Sequence, residues 1–263
     1  MRLNATFSYL SKEKIWGHFR PLNCQTKEEN MEDYIGEIIK YSDMQQYKPL
    51  NEIVFEGIRT AIIKGKIPVG MKINEKEFAD RLNISRTPIR DALRRLEREG
   101  LVEYYPKYGV IVKKISIDDA KEIYQIRKAL DILATINAAN IMTEEQFQEL
   151  EDLLNKTEEV NASLKNLEEI THMFHEFNEM IYGFSQMPRL TSIVTRLREY
   201  LMRFRDISLN EDNRRRNALD DHWIIYKAMR KRDEEQLNII IKRHLEDSEK
   251  FILAEMIRVQ NGK

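Results

Sequence analysis

The chain has one cysteine, Cys24, in 263 residues. That excludes a disulfide framework and a zinc site built on thiolates alone. Glycine and proline are scarce, at 9 and 6 residues. With abundant Leu, Ile, Met and charged side chains, this points to helix rather than to a turn-rich β-architecture. No apolar run approaches the ~18 residues of a membrane span. The opening MRLNATFSYLSKEKIWGHFRP lacks the apolar stretch of a signal peptide. The expectation is a soluble, cytoplasmic chain with no membrane partner. An excess of one charge is missing too: 43 Lys+Arg face 44 Asp+Glu, a formal net charge of −1. This excludes a histone-like protein held to its partner by bulk charge. At 42% hydrophobic residues, the chain has ample material for a core and is no acidic disordered tail. Its length suits one large domain or two ordinary ones.

The neutral total conceals an asymmetry. Between Lys76 and Lys114 there are ten Lys+Arg and six Asp+Glu, a local +4, so the remainder totals −5. A basic patch sits inside a neutral protein.

Residues 1–45 carry no sustained period and read as an extension, with a short helix fitting Met31–Tyr41. Met31 and Met44 are each available as an alternative start. Residues 46–115 form the next region. Ile53, Val54, Gly57, Ile58, Ala61 and Ile62 trace the stripe of an amphipathic helix, with Gly65 as its C-cap. Asn74 is placed to cap a second helix, EKEFADRL, with Glu77 as capping-box partner. Asn83 breaks that helix. Ser85 caps a third, RTPIRDALRRLEREG, which stops at Gly100. Two short strands, LVEYY and VIVKKI, then flank the turn PKYG. Residues 116–263 carry helical spacing over 117–141, 143–160, 166–185, 189–207, 219–230 and 233–259. No strand pattern follows Lys114. The predicted fold is mainly α: a winged helix-turn-helix followed by a bundle of about six helices.

A recognition helix presents its N-terminal residues to the DNA major groove. Here those are Arg86, Thr87 and Arg90, with Arg94 one turn on. Arginine forks match guanine O6/N7 or phosphate oxygens. Lys76 opens the preceding helix, within reach of the backbone. Lys107, Tyr108 and Gly109 form a wing tip suited to the minor groove. For Arg94, Arg95 and Arg98 an alternative is a solvated face paired with neighbouring acids.

The run from Asn74 to Val112, with SRTPIRDALRRLEREGLV at its centre, resembles the DNA-binding domain of the GntR family of bacterial transcriptional regulators. The resemblance extends upstream through Ile53–Gly70. It implies DNA contacts at Lys76, Arg86, Thr87, Arg90, Lys107, Tyr108 and Gly109.

Four of the five histidines fall after residue 117: His172, His175, His222 and His244. Helical bundles build metal sites from side chains projecting inward from facing helices, and neutral imidazole ligates Zn, Ni or Mn. Asn178 lies one turn after His175, on its face, and could add a carbonyl oxygen. The run Ile123–Ala139 and the run Asp220–Leu245 resemble the FCD-type C-terminal domain of the FadR subfamily. That domain usually carries an Asp or Asn, three residues, then FH, and two later histidines, which match His222 and His244. An ungapped reading puts Phe177–Asn178 on FH and Phe174 on the acidic position. A gapped one puts Phe174–His175 on FH and Thr171 on the acidic position. The ungapped one also aligns SQMPRL without insertion. Neither completes the ligand set. The expected site is His175, His222 and His244 with Asn178, holding a divalent metal. A metal-free pocket bonding the effector directly is the alternative.

The resemblance further implies a small organic acid as effector. Arg127 would clamp its carboxylate, unless it pairs with Asp131 at i+4. A homodimer would present two winged domains to a pseudo-palindromic operator, as repressor or activator. Two other readings remain open here: a histidine-based metalloenzyme, and a DNA-binding protein with an inert bundle. No HExxH, phosphate loop or nucleophile motif supports the enzyme.

Overall fold

The computed structural model describes residues 48–163, 167–202 and 211–260, with Gly36 and Leu209 besides. The extension over residues 1–45 and the helix expected over Met31–Tyr41 lie outside the described residues, Gly36 excepted. The described chain forms two compact units, with the break in sequence after Lys114.

The first unit runs α1 (Leu50–Ile63), β1 (Lys72–Ile73), α2 (Glu75–Arg81), α3 (Arg86–Arg98), β2 (Val102–Tyr105) and β3 (Gly109–Val112). The extended piece before α2 is a strand that joins the hairpin. The antiparallel sheet has the order β1-β3-β2, with Ile73 opposite Val110 and Val102 opposite Val112. Local chemistry sets the boundaries. After α1, Gly65 takes φ 68°, and the Lys66 and Ile67 amides both return to the Ala61 carbonyl. Asn74 Oδ1 accepts from the Lys76 and Glu77 amides at 3.1 and 3.5 Å. Glu77, expected to complete a capping box, instead reaches forward to Arg81 at 3.5 Å. Asn83 ends α2 in the left-handed region at φ 52°, a conformation asparagine tolerates. Gly100 ends α3 at φ 73°, with Leu101 N–H donating to the Leu96 carbonyl. Phe55, Ile58, Phe78, Ile89 and Leu96 fill the core, all fully buried. Each such side chain contributes about 1.5–3 kcal/mol by leaving water.

Among the described residues the second unit comprises α4 (Ile117–Ile141), α5 (Glu144–Ser163), α6 (Leu167–Phe184), α7 (Pro188–Tyr200), α8 (Asp212–Lys231) and α9 (Glu234–Gln260). Ser116 and Asp119 close a reciprocal capping box at the start of α4. Thr143 and Gln146 do the same for α5, as their spacing predicts. Pro188 opens α7 at its first turn. The long helices α4 and α9 pack along each other and are joined by Tyr124–Ser248 at 2.8 Å and Lys128–Glu249 at 2.9 Å. Leu150, Leu154, Ile170, Phe177, Leu237, Leu245 and Ile252 lie in the shared core.

Two boundaries differ from expectation. The helix expected over 189–207 ends at Tyr200, and residues 203–208 lie outside the described residues. The helix expected from residue 219 begins at Asp212. Its first turns, DNRRRN, show no apolar period. Ion pairs hold them instead: Asp212 takes Arg215 at 2.6 Å and Arg216 at 2.5 Å, and an acid at a helix N-terminus complements the dipole.

Candidate nucleic-acid interface and effector pocket

Helix α3 is divided lengthwise. Ile89, Ala92, Leu93 and Leu96 face the core, while Arg86, Thr87, Arg90, Arg94 and Arg98 are exposed on the opposite side. Ser85 stands at the N-cap in an extended conformation, but its hydroxyl makes no capping bond. That corrects the expected cap. It also leaves the first amides of α3 without that acceptor, next to Arg86 and Thr87, where an anion can use them. Arg90 reaches back to Glu75 on α2, with Nε at 3.2 Å and Nη2 at 3.0 Å from one carboxylate oxygen. The bridge orients the guanidinium across the helix-turn-helix. Lys76 is exposed at the start of α2.

Arg95 behaves differently. It pairs with Glu52 and lays its guanidinium 3.8 Å from the Phe55 ring centroid. It belongs to the packing of α1 on α3. Arg98 donates to the Arg94 carbonyl at 3.4 Å.

At the wing, the Tyr108 amide donates to the Tyr105 carbonyl at 3.0 Å. Pro106 occupies the second turn position and Lys107, at φ 71°, the third, the pattern of a type II turn. Lys107 and Tyr108 project into solvent. Gly109 takes φ 89°, and a Cβ there would meet Lys72 Cε at 3.5 Å.

The histidines of the helical unit do not all converge. His172 is exposed and pairs with Glu176 at 3.6 Å. His175 is half-buried on α6, and its carbonyl accepts from Arg198 at 3.5 Å. His222 and His244 meet, with ring centroids 5.2 Å apart. Phe177 stacks on His222 at 4.1 Å, and Phe174 tilts against it at 5.2 Å. Asn178 lines a cavity with His244, while its Nδ2 donates to the Phe174 carbonyl at 2.9 Å. The residues present do not fit a resident metal. Among the described residues, no three His, Cys, Asp or Glu side chains are placed to hold one. The expected trio of His175, His222 and His244 is therefore corrected to a pair, His222 and His244. The carboxylate beside them, Asp221, is already engaged by His244 at 3.0 Å and Arg243 at 2.6 Å.

Electrostatics follow from burial. His244 is held below its ordinary pKa, first by burial, against the pull of Asp221 and with the Arg214 and Arg127 charges adding to the effect. The neutral ring then donates from Nδ1 to Asp221, leaving Nε2 as an acceptor. Burial alone would raise the Asp221 carboxyl, but the bonds from His244 and Arg243 bring it below the usual range. Arg127 lies wholly buried on α4. Its Nη2 donates to Asp131 at 2.8 Å, so the expected i,i+4 pair forms. Its Nε and Nη1 have no partner. Asp131 also accepts from the Tyr182 hydroxyl at 2.9 Å. Burial and the Asp131 charge push that phenol up to about 12. Arg198 sits over the Tyr182 ring at 5.3 Å.

Two small cavities, each about 20 Å3, flank His244. One is lined by Asp131, Thr135, Phe177, Asn178 and Tyr182, the other by Phe174, Arg214, His222 and Ser248. Sequence reasoning missed Asp221, Arg214, Tyr182 and Arg198. Arg214 lay in the stretch not recognised as helix. Asp221 was legible as the acid beside His222, and a carboxylate orienting an imidazole is a recurring arrangement.

An exposed basic helix face on a winged helix-turn-helix, joined to a helical unit with a polar interior, defines a DNA-binding regulator. The comparisons with known proteins agree. Residues 50–112 match the model of the bacterial regulatory proteins of the gntR family, and residues 122–247 match the FCD domain. The chain is 26% identical over 215 residues to the HTH-type transcriptional repressor RspR of Escherichia coli K12, covering 82% of this chain and 93% of that one. It is 31% identical over 143 residues to an HTH-type transcriptional regulator of the TAR-I ttuE-ttuC' intergenic region of Agrobacterium vitis, 49% of this chain and 84% of the relative. The solved structure of E. coli McbR/YncC shares the fold, with TM-score 0.62 at 21% identity over 80% of this chain and 99% of that one. The chain belongs to the GntR family of transcriptional regulators and carries an FCD domain. Such regulators bind operator DNA and are not enzymes. No helix among the described residues is long and apolar enough to cross a membrane.

Proposed function

We propose that this regulator is a homodimeric repressor that grips a pseudo-palindromic operator and releases it when the helical unit binds a small organic acid. The observation that carries the reading is the open face of α3. Arg86, Thr87, Arg90 and Arg94 stand exposed opposite a fully apolar buried face. Arg86 and Arg90 read base edges, Thr87 and the first α3 amides take a phosphate, and Lys76 and Arg94 take flanking phosphates. Lys107, Tyr108 and Gly109 meet the minor groove. Dimerisation is supported by exposed apolar side chains on two helices that pack together, Ile126 and Leu133 on α4 and Ile193 on α7. Two-fold operators mirror two-fold proteins. The E. coli K12 relative RspR is a transcriptional repressor, which favours repression here. The acid-sensing role is supported by the unpartnered nitrogens of Arg127. An effector switches the protein only by binding one arrangement of the dimer better than another.

The test is fluorescence anisotropy with duplexes selected from a random pool by the full-length chain. Tight, sequence-selective binding is expected, weakened by a subset of small carboxylates. Binding that ignores sequence would overturn the recognition assignment. Selective binding indifferent to every acid tried would leave a constitutive DNA-binding protein.

A further inference from the structure

One ion pair of the winged unit stands apart from its neighbours. Arg59 meets Glu99 at 2.9 Å with both side chains largely shielded from water. Arg95 gives its guanidinium to Glu52 and the Phe55 ring, within the packing of α1 on α3. Arg81 meets Glu77 one turn away on its own helix. Arg90 instead crosses from α3 to Glu75 on α2. Its Nε and Nη2 both donate to Glu75 Oε2, at 3.2 and 3.0 Å. The two side chains keep 52% and 32% of their surface exposed, so the pair contributes little to stability. Its ends are nevertheless anchored. Glu75 opens α2, where the helix dipole favours an acid, and Asn74 caps that turn through the Lys76 and Glu77 amides. Arg90 follows Ile89, which is fully buried.

A guanidinium carries its N–H donors in a rigid planar fork. Glu75 occupies the edge made by Nε and Nη2. The end made by Nη1 and the second Nη2 hydrogen has no partner among the described residues. That end is the one that matches guanine O6 and N7. An untethered arginine turns either edge to the nearest acceptor, and on DNA that is commonly a phosphate. The bridge leaves one end available and sets its plane. The carboxylate also repels phosphate oxygens, which steers the cation off the backbone and onto uncharged base edges. Glu75 Oε1 accepts no bond among the described residues. As an acceptor only, it suits the amino group of cytosine or adenine and is repelled by guanine O6 and thymine O4.

We infer that Glu75 and Arg90 act as one composite reader of operator sequence, with Glu75 as a positioning and specificity-determining residue. Arg90 takes O6 and N7 of a guanine. Glu75 holds the plane of the guanidinium and accepts from the amino group of a neighbouring cytosine or adenine. The inference deepens the recognition reading of α3 and rests on it. The two contacts use different edges of the guanidinium, so DNA binding leaves the bridge intact. Arg86 and Arg94, exposed on the same helix, form no such bridge among the described residues. Recognition of one guanine therefore depends on an acid that sits on another helix and would by charge alone oppose DNA.

The experiment uses the full chain, a duplex that it selects from a random pool, and every single base-pair variant of that duplex. Binding is followed by fluorescence anisotropy at several salt concentrations. Arg90→Lys keeps the charge and loses the fork. It should erase the preference for one guanine, which identifies the base pair that Arg90 reads. Replacing that guanine should weaken the wild type about 10- to 100-fold, and 7-deazaguanine, which lacks N7, should weaken the wild type but not Arg90→Lys. Glu75→Gln should keep the wild-type melting temperature and lose about tenfold of the discrimination at that base pair. It should also bind scrambled duplex more tightly, with a salt dependence of log K steeper by about 0.9, as the released cation takes a phosphate. Glu75→Ala should behave alike. A Glu75→Gln base profile equal to wild type, or a loss spread evenly over all base pairs, would overturn the inference and leave the α3 reading standing. An Arg90→Lys profile equal to wild type, or wild-type binding without base preference, would remove the α3 reading itself.

Discussion

Arginine has opposite duties in the two halves of the molecule. On α3, Arg86, Arg90 and Arg94 are exposed on a helix whose other face anchors the winged core. In the helical unit, Arg127, Arg198 and Arg215 are nearly inaccessible. An exposed guanidinium costs little to hold, and its partner arrives from solution. A buried one has lost its water and must be compensated within the fold or by a ligand. The first arrangement suits a long polyanion approached from outside, the second a small anion that is enclosed.

The sharpest way to break this contrast is Asp131→Ala. It leaves Arg127 buried with no counter-charge and the Tyr182 hydroxyl with no acceptor. Loss of one partner from a buried pair costs about 3–5 kcal/mol. Chemical denaturation should show the helical unit destabilised by that amount, and an unchanged midpoint would refute the role given to Asp131. Next, Leu96→Ala removes a fully buried side chain from the winged core. It should destabilise that unit by about 2–5 kcal/mol, read as early loss of DNA binding on warming.

Arg90→Ala should leave both units folded and weaken specific DNA binding about 10- to 100-fold, as expected for loss of a base-reading fork. Gel-shift affinity equal to wild type would remove Arg90 from the reading surface. The smallest effect is expected at the wing. Lys107 holds a positive φ that glycine adopts freely. Lys107→Gly should therefore match or exceed wild-type stability, by up to about 1 kcal/mol. It should also flatten the salt dependence of DNA binding by about one phosphate contact. Unaltered salt dependence would place Lys107 off the DNA.

The winged unit was largely legible in sequence because its signals are local. Asn74, Gly65, Asn83 and Gly100 act through their own backbone geometry, and the Ile89–Leu96 stripe separates the two faces of α3. The absent Ser85 bond and the Glu77–Arg81 pair depend on where a side chain turns, which spacing does not decide. In the helical unit, periodicity located six helices but misplaced the start of α8. Asp212 and the arginines stabilise that turn through charge rather than apolar repeat. The pocket was least legible. Three histidines and Asn178 were expected to converge; the structure brings His222 and His244 together and Asn178 to the cavity beside His244, while His172 faces solvent. Residue type announced ligands, and helix phase decided which of them meet.

The capture of Arg95 by Glu52 and Phe55 has a thermodynamic consequence for the DNA side. A basic residue already neutralised inside the protein displaces no counterion from the duplex. The local +4 between Lys76 and Lys114 therefore overstates the charge offered to phosphates, and Arg90, tied to Glu75, lowers it further in the unbound protein. Each phosphate neutralised steepens the fall of log K with log salt by about 0.9. With few cations engaged, weak binding to arbitrary sequence should fade at moderate ionic strength. Discrimination between operator and bulk genome then rests on the α3 face.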